Sequence, residues 1–174
     1  MRWGKLMGWA VVFSAGLLAG FAAAKGKGIE PSIYQGKEAR QAGLALLQEA
    51  EVQAGNGSWE RIGVGRVYYL SGDRAKGQAL FDGVLAKKPA KDDLQRIARV
   101  YAEAGEWDKA EPLYQQALAK DPGDDSIRAE EGAYYNLNGN RSKAEELFGL
   151  SLGKKSDVWN TLDAAGSYLG VKPD

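Results

Sequence analysis

The sequence predicts an all-α fold in which antiparallel helix pairs repeat about three times and stack on one another. Three observations predict it. Aromatic and glycine landmarks recur at fixed offsets of 33 and 34 residues. Apolar residues between the landmarks have the i, i+3, i+4, i+7 spacing of one helical face. Glycine turn signals separate the two helices of each unit.

The first 28 residues, MRWGKLMGWAVVFSAGLLAGFAAAKGKG, stand apart from that pattern. Arg2 and Lys5 give a positive start, and the 19 residues from Leu6 to Ala24 carry no charge. Such a segment is a targeting or membrane element and is set aside from fold reasoning. Two readings fit residues 1–24. As a secretory signal peptide, the segment has a small-residue cleavage site in Ala22-Ala23-Ala24. As a retained anchor, residues 6–24 just reach the length that crosses a bilayer. The bulk of the chain is then expected outside the cytoplasm, in the periplasm or another extracytoplasmic space. Gly16 and Gly20 form a GxxxG pair, which a signal segment rich in small residues also produces.

Residues 25–36 open with Lys25-Gly26-Lys27-Gly28 and are expected as a flexible linker. Residues 37–174 are expected as one folded domain. Within it, residues 37–54 form a leading helix, with Gly43, Leu47 and Ala50 at second-helix positions. Three repeats follow at 58–90, 91–124 and 125–158, and a closing helix at 158–169 places Leu162, Ala165, Gly166 and Leu169 at first-helix positions.

The repeat landmarks are Tyr68, Gly72 and Phe81, then Tyr101, Gly105 and Tyr114, then Tyr135, Gly139 and Phe148. In the second repeat, Leu94, Ile97, Ala98 and Tyr101 define one helical face. Ala110, Leu113, Tyr114, Ala117 and Leu118 define the next. Asp92 with Gln95, and Ser142 with Glu145, have the spacing of capping boxes. Pro122 closes the second repeat and Pro89 the first. One hairpin cannot bury its apolar face alone, whereas stacked hairpins share a core.

These residues resemble the tetratricopeptide repeat family. Leu94, Ile97, Ala98, Tyr101, Gly105, Ala110, Tyr114, Ala117 and Pro122 fall on its pattern. The first repeat departs with Gly77 where Ala is usual. The third departs with Glu131 at a normally apolar place and with no closing Pro. The resemblance implies a short right-handed α-solenoid that binds another protein and catalyses nothing. It also implies that exposed residues of each first helix line an inner groove for a partner peptide or helix. By position these are Trp59, Ile62, Arg66 and Tyr69; Asp92, Gln95, Arg96, Arg99 and Glu103; and Ser126, Ala129, Ala133 and Asn136. Trp59, Arg66, Tyr69, Gln95, Arg96, Arg99 and Asn136 are the chief candidates. Arg66, Arg96 and Arg99 are expected to converge, because equivalent positions in successive repeats sit side by side. Arginine suits bidentate capture of carboxylates. The alternative is that these arginines only pair with Asp92, Glu103 or other neighbouring acids.

Composition narrows the function further. The chain has 23 basic and 23 acidic residues, so no strong field collects nucleic acid. It has no Cys and no His. That excludes Cys/His zinc sites, His- or Cys-ligated haem, and Ser-His-Asp or Cys-His catalysis. No cofactor, metal or small-molecule substrate is expected. Paired acids such as Glu130-Glu131 and Asp124-Asp125 read as dipole complements at helix ends or as solvated faces. Gly63-Val64-Gly65 lacks the preceding strand and following glycine of a dinucleotide fingerprint.

Overall fold

A computed structural model describes residues 28–153 and 157–173. The expected signal or anchor segment, residues 1–24, lies outside the described residues. The described chain contains eight α-helices, one 3-10 turn and no strand. The helices are α1 (Ala39–Ala54), α2 (Ser58–Leu70), α3 (Arg74–Leu85), α4 (Lys91–Glu103), α5 (Trp107–Lys120), α6 (Asp125–Leu137), α7 (Arg141–Leu152) and α8 (Val158–Tyr168). Part of the stretch expected as linker is ordered, with Pro31–Ile33 forming the 3-10 turn against α1. Among the described residues no helix is long and apolar enough to cross a membrane.

The pairs α2–α3, α4–α5 and α6–α7 pack along their length. Each is joined by a three-residue turn containing a left-handed glycine, with φ of 77° at Gly105 and 86° at Gly139. A side chain there would meet its own carbonyl, so only glycine takes this reversal cheaply. The helix starts are set by side-chain caps at Asp73, Asp124, Asn140 and Asp157, each accepting a backbone N–H three residues on. This corrects both expected capping boxes. Asn140, not Ser142, caps α7. At α4 it is Asp93, not Asp92, that reaches back, its Oδ2 accepting from Ala90 N at 2.9 Å.

Close approach of the paired helices explains the small residues. A Cβ on Gly65 would lie 2.6 Å from the Phe81 ring, and one on Gly132 2.8 Å from Phe148. Gly77, the departure from the usual Ala, is equally constrained: a Cβ would lie 2.7 Å from both Gly65 O and Tyr69 Cβ. The first hairpin is therefore packed too tightly for a methyl group at that point.

The landmark aromatics all point inward. Phe81 and Tyr114 are fully buried, and Tyr68, Tyr101, Tyr135 and Phe148 nearly so. Burying one such ring stabilises the fold by roughly 2–3 kcal/mol. The core is divided rather than continuous. A central cluster runs from Ile62 to Tyr134, and smaller ones lie at the two ends. Trp107 packs against both the central cluster and the C-terminal one. Its ring meets Tyr135 edge-on at 4.9 Å.

The largest correction concerns the acids of α6. Glu130 and Glu131 are not on a solvated face; they are 1% and 0% exposed. Helix α6 is sandwiched by α5, α7 and α8, so nearly every side of it is covered.

Candidate partner-binding groove

Helices α2 and α4 lie side by side and leave a groove of about 330 Å³ between them. Trp59, Arg66, Arg96, Arg99 and Glu103 line it. The expected convergence of Arg66, Arg96 and Arg99 is thus present, but the three arginines are in different chemical states.

Arg66 is committed to Glu103, with Nε and Nη2 each 2.8 Å from Oε2. This pair is solvent-accessible and contributes little to stability. Arg99 is committed more deeply. Its Nε donates to Glu130 Oε1 at 2.7 Å and its Nη2 to Oε2 at 2.6 Å, a bidentate fork. Gln95 donates to the same carboxylate, as does the Tyr114 hydroxyl at 2.7 Å. Glu130, rather than solvent or a partner, is therefore what organises Gln95 and Arg99. The Glu130 carboxylate holds the Arg99 pKa above its ordinary value.

Arg96 is different. Its guanidinium carbon sits 3.8 Å from the centroid of the Trp59 ring. Among the described residues it forms no ion pair. Trp59 is itself 52% exposed. A stacked, exposed Arg–Trp pair offers a flat cationic and aromatic surface with hydrogen-bonding edges still open.

Other expected groove residues are placed elsewhere. Tyr69 is buried, because its ring packs on Phe81 at 5.6 Å and Tyr101 at 5.5 Å. Its hydroxyl donates to Glu106 Oε2 at 2.6 Å, and burial followed by that carboxylate pushes its pKa up. Lys109 and Tyr69 together pull the Glu106 pKa down. Ile62, Ala129 and Ala133 are also buried. Asn136 is half-buried and its Nδ2 donates to Ser167 Oγ at 3.0 Å, so it fastens α8 to α6. Of the chief candidates, Trp59, Arg66, Arg96 and the edge of Arg99 share the groove.

The chain's own C-terminal tail enters this groove. Gly170 reverses the backbone with φ of 78°. Val171 N donates to Gly166 O at 2.8 Å, the six-to-one closure of a Schellman turn. The chain then runs back so that Lys172 Nζ donates to Glu103 O at 3.0 Å. Pro173 is buried and forms part of the groove wall. Residue spacing gives no signal for this contact, since Lys172 and Glu103 are 69 residues apart and belong to no common repeat.

The architecture defines a class: a short array of helical hairpins whose first helices expose a polar, arginine-bearing groove. Residues 94–126 match the family model described as tetratricopeptide repeat, which supports a repeat of that kind spanning α4, α5 and the start of α6. No curated protein and no solved structure matches the chain. Tetratricopeptide repeats generally mediate protein–protein interaction and are generally non-catalytic. Among the described residues there is no cluster of His, Cys, Asp and Glu able to hold a metal ion.

Proposed function

We propose that the protein is a non-catalytic adaptor or assembly factor of the bacterial cell envelope, and that the α2–α4 groove receives an extended segment of a partner protein. The observation that carries this reading is the tail contact. The groove takes up two residues of the chain's own non-helical tail, offering the Glu103 carbonyl to the Lys172 ammonium and a wall that includes Pro173. Arg96 stacked on Trp59 supplies a site for a carboxylate or backbone carbonyl of the incoming segment. Residues 1–24, as a signal peptide or an inner-membrane anchor, would deliver the domain to the periplasmic side. The near-neutral charge and the absence of His and Cys favour a protein partner over nucleic acid or a small-molecule substrate.

The test is photo-crosslinking from a residue placed at Gly63, an exposed groove-lining position, in intact cells. Trp59→Ala combined with Arg96→Glu removes the stacked pair without touching a buried residue. Capture of the partner should fall at least tenfold, and truncation after Leu169 should raise it by vacating the groove. Equal capture by the Trp59→Ala/Arg96→Glu variant rejects the groove as the binding surface.

The alternative is a tethered structural subunit or spacer within a larger envelope assembly. The exposed apolar side of α8 favours it, with Trp159 at 70% and Leu169 at 81% exposure.

A further inference from the structure

The two ends of the helical stack are unfinished in complementary ways. First helices α2, α4, α6 and α8 start at Ser58, Lys91, Asp125 and Val158, so equivalent positions follow at offsets of 33, 34 and 33. At the leading end, consider the tenth residue of each first helix. Val100, Tyr134 and Ser167 are buried against the preceding repeat, at 2%, 1% and 5% exposure. Val67 is 47% exposed, and among the described residues α1 is the one α-helix that precedes its own. Beside Val67 runs an apolar groove of about 380 Å³ between α1 and α2, floored by Leu47, Ala50 and Val64. Helix α1 has the character of a second helix without its first. Among the described residues, a Cβ on Gly43, at a second-helix position, would meet nothing within 4 Å, whereas one on Gly77 would strike α2.

At the trailing end the deficit is reversed. Ala165 stands where Gly65, Ala98 and Gly132 are buried, and it is exposed. Gly65 and Gly132 are covered by the second helix of their own hairpin, through Phe81 and Phe148. Among the described residues α8 has no such helix. Leu162 is 53% exposed where Ile62 and Ala129 are buried, and Leu169 is exposed where Tyr69 and Ala102 are buried. Among the described residues, the stack therefore opens with a lone second helix and closes with a lone first helix. Repeat stacks that stay monomeric cover such ends with polar faces; this one presents apolar side chains at both.

We propose that the occupant of the α8 face is a second copy of this chain, docked head to tail. Helix α8 of one copy sits in the α1–α2 groove of the next. Helix α1 of the second copy completes the hairpin that α8 begins, and α2 of that copy covers Leu162 and Leu169. The contact is heterologous, since two different surfaces meet, so it extends into a chain or closes into a ring. It uses neither Arg96 nor Trp59; Gly63 borders both grooves, so a crosslink from that position to another copy of the chain reports this contact and one to a different protein reports the α2–α4 groove.

The test uses the full chain in mild detergent. Light scattering should show a protein mass that rises with concentration to about 100 µM, and Leu169→Glu should return it to one chain. Because the chain has no Cys, single thiols report the geometry cleanly. A Val67→Cys/Leu162→Cys chain treated with a short bismaleimide should give a ladder of linked species. Either single-Cys chain alone should stay unlinked, and a mixture of the two should stop at dimers. Two results overturn the proposal: a constant single-chain mass across the concentration range, or linked dimers from Leu162→Cys alone, which mean a symmetric contact between two α8 helices.

Discussion

The second and third repeats share one backbone plan and differ in what they bury. In α4 the position facing the core is Ile97; in α6 it is Glu131. One residue earlier, α4 carries Arg96 on an exposed surface, while α6 carries Glu130 in the interior. The family model matches residues 94–126 and stops as α6 begins. The hairpin geometry nevertheless continues through α6 and α7. What distinguishes the third repeat is that hydrogen bonds and an ion pair replace part of its apolar contact. A carboxylate can occupy a core position when neighbouring elements bring enough donors to it, and it is costly where they do not. Glu130 and Glu131 are the two outcomes, side by side on one helix.

The largest effect is expected where the repeats are cross-linked. Arg99 of the second repeat holds Glu130 of the third with two short bonds, and Gln95 and Tyr114 assist. Arg99→Met leaves a buried carboxylate without its cation and should cost about 3–5 kcal/mol in urea unfolding at pH 7. The comparison sharpens if Glu130→Leu is added. Removing both charges should recover most of that loss, because the penalty lies in the uncompensated charge rather than in the missing bonds. If Arg99→Met alone is neutral, the interface between the repeats is held by apolar packing and Glu130 is a bystander.

Glu131 is the poorly satisfied member of the pair. Gln115 donates to its Oε1, but among the described residues Oε2 has no hydrogen-bond partner. Burial pushes its pKa up to about 7, against the pull of Gln115 and Lys143. A carboxyl whose folded pKa is raised holds its proton in the native state while the unfolded chain has already lost it. Stability from this group is therefore full below its unfolded pKa and falls as pH rises towards 7. Glu131→Gln should raise unfolding stability by roughly 1–3 kcal/mol at pH 8, and the gain should shrink towards zero by pH 4. Thermal melts of both proteins from pH 4 to pH 8 check this. A gain independent of pH means that Glu131 is not titrating in the fold.

How much of this was legible in the sequence follows from what each feature depends on. The helices of the second repeat were legible because Leu94, Ile97, Ala98 and Tyr101 mark one face within a single helix. The meeting of Arg66 with Arg96 and Arg99 was legible because equivalent positions in stacked repeats are neighbours. The burial of Tyr69 was not, since its ring occupies space that opens only when Phe81 and Tyr101 converge from two other helices. Glu130 and Glu131 read as surface acids because charge is judged locally, while their donors lie 16 to 35 residues away. One signal did point to Glu131: repeat alignment puts it on the position of Ile97. The tail contact of Lys172 and Pro173 obeys no repeat and leaves no trace in periodicity.

The smallest effect tests the helix starts. Helix α7 of the third repeat is capped by Asn140, whose Oδ1 accepts from Lys143 N at 3.2 Å. Helix α5 of the second repeat starts at Glu106 with no side-chain cap. There the Glu106 carboxylate instead receives Tyr69 and the Arg74 and Lys109 cations, so it ties the first repeat to the second. Asn140→Ala should cost about 1 kcal/mol, the usual value of one lost cap, and the loss should be insensitive to salt. Glu106→Gln removes no cap; its cost should come from weakened contacts to Arg74 and Lys109 and should diminish at high salt, as exposed ion pairs do. Denaturant unfolding of both variants at low and high salt separates the two cases. If Asn140→Ala is neutral, α7 is positioned by Phe148 against Gly132 alone, and the third repeat needs no local start signal to form its second helix.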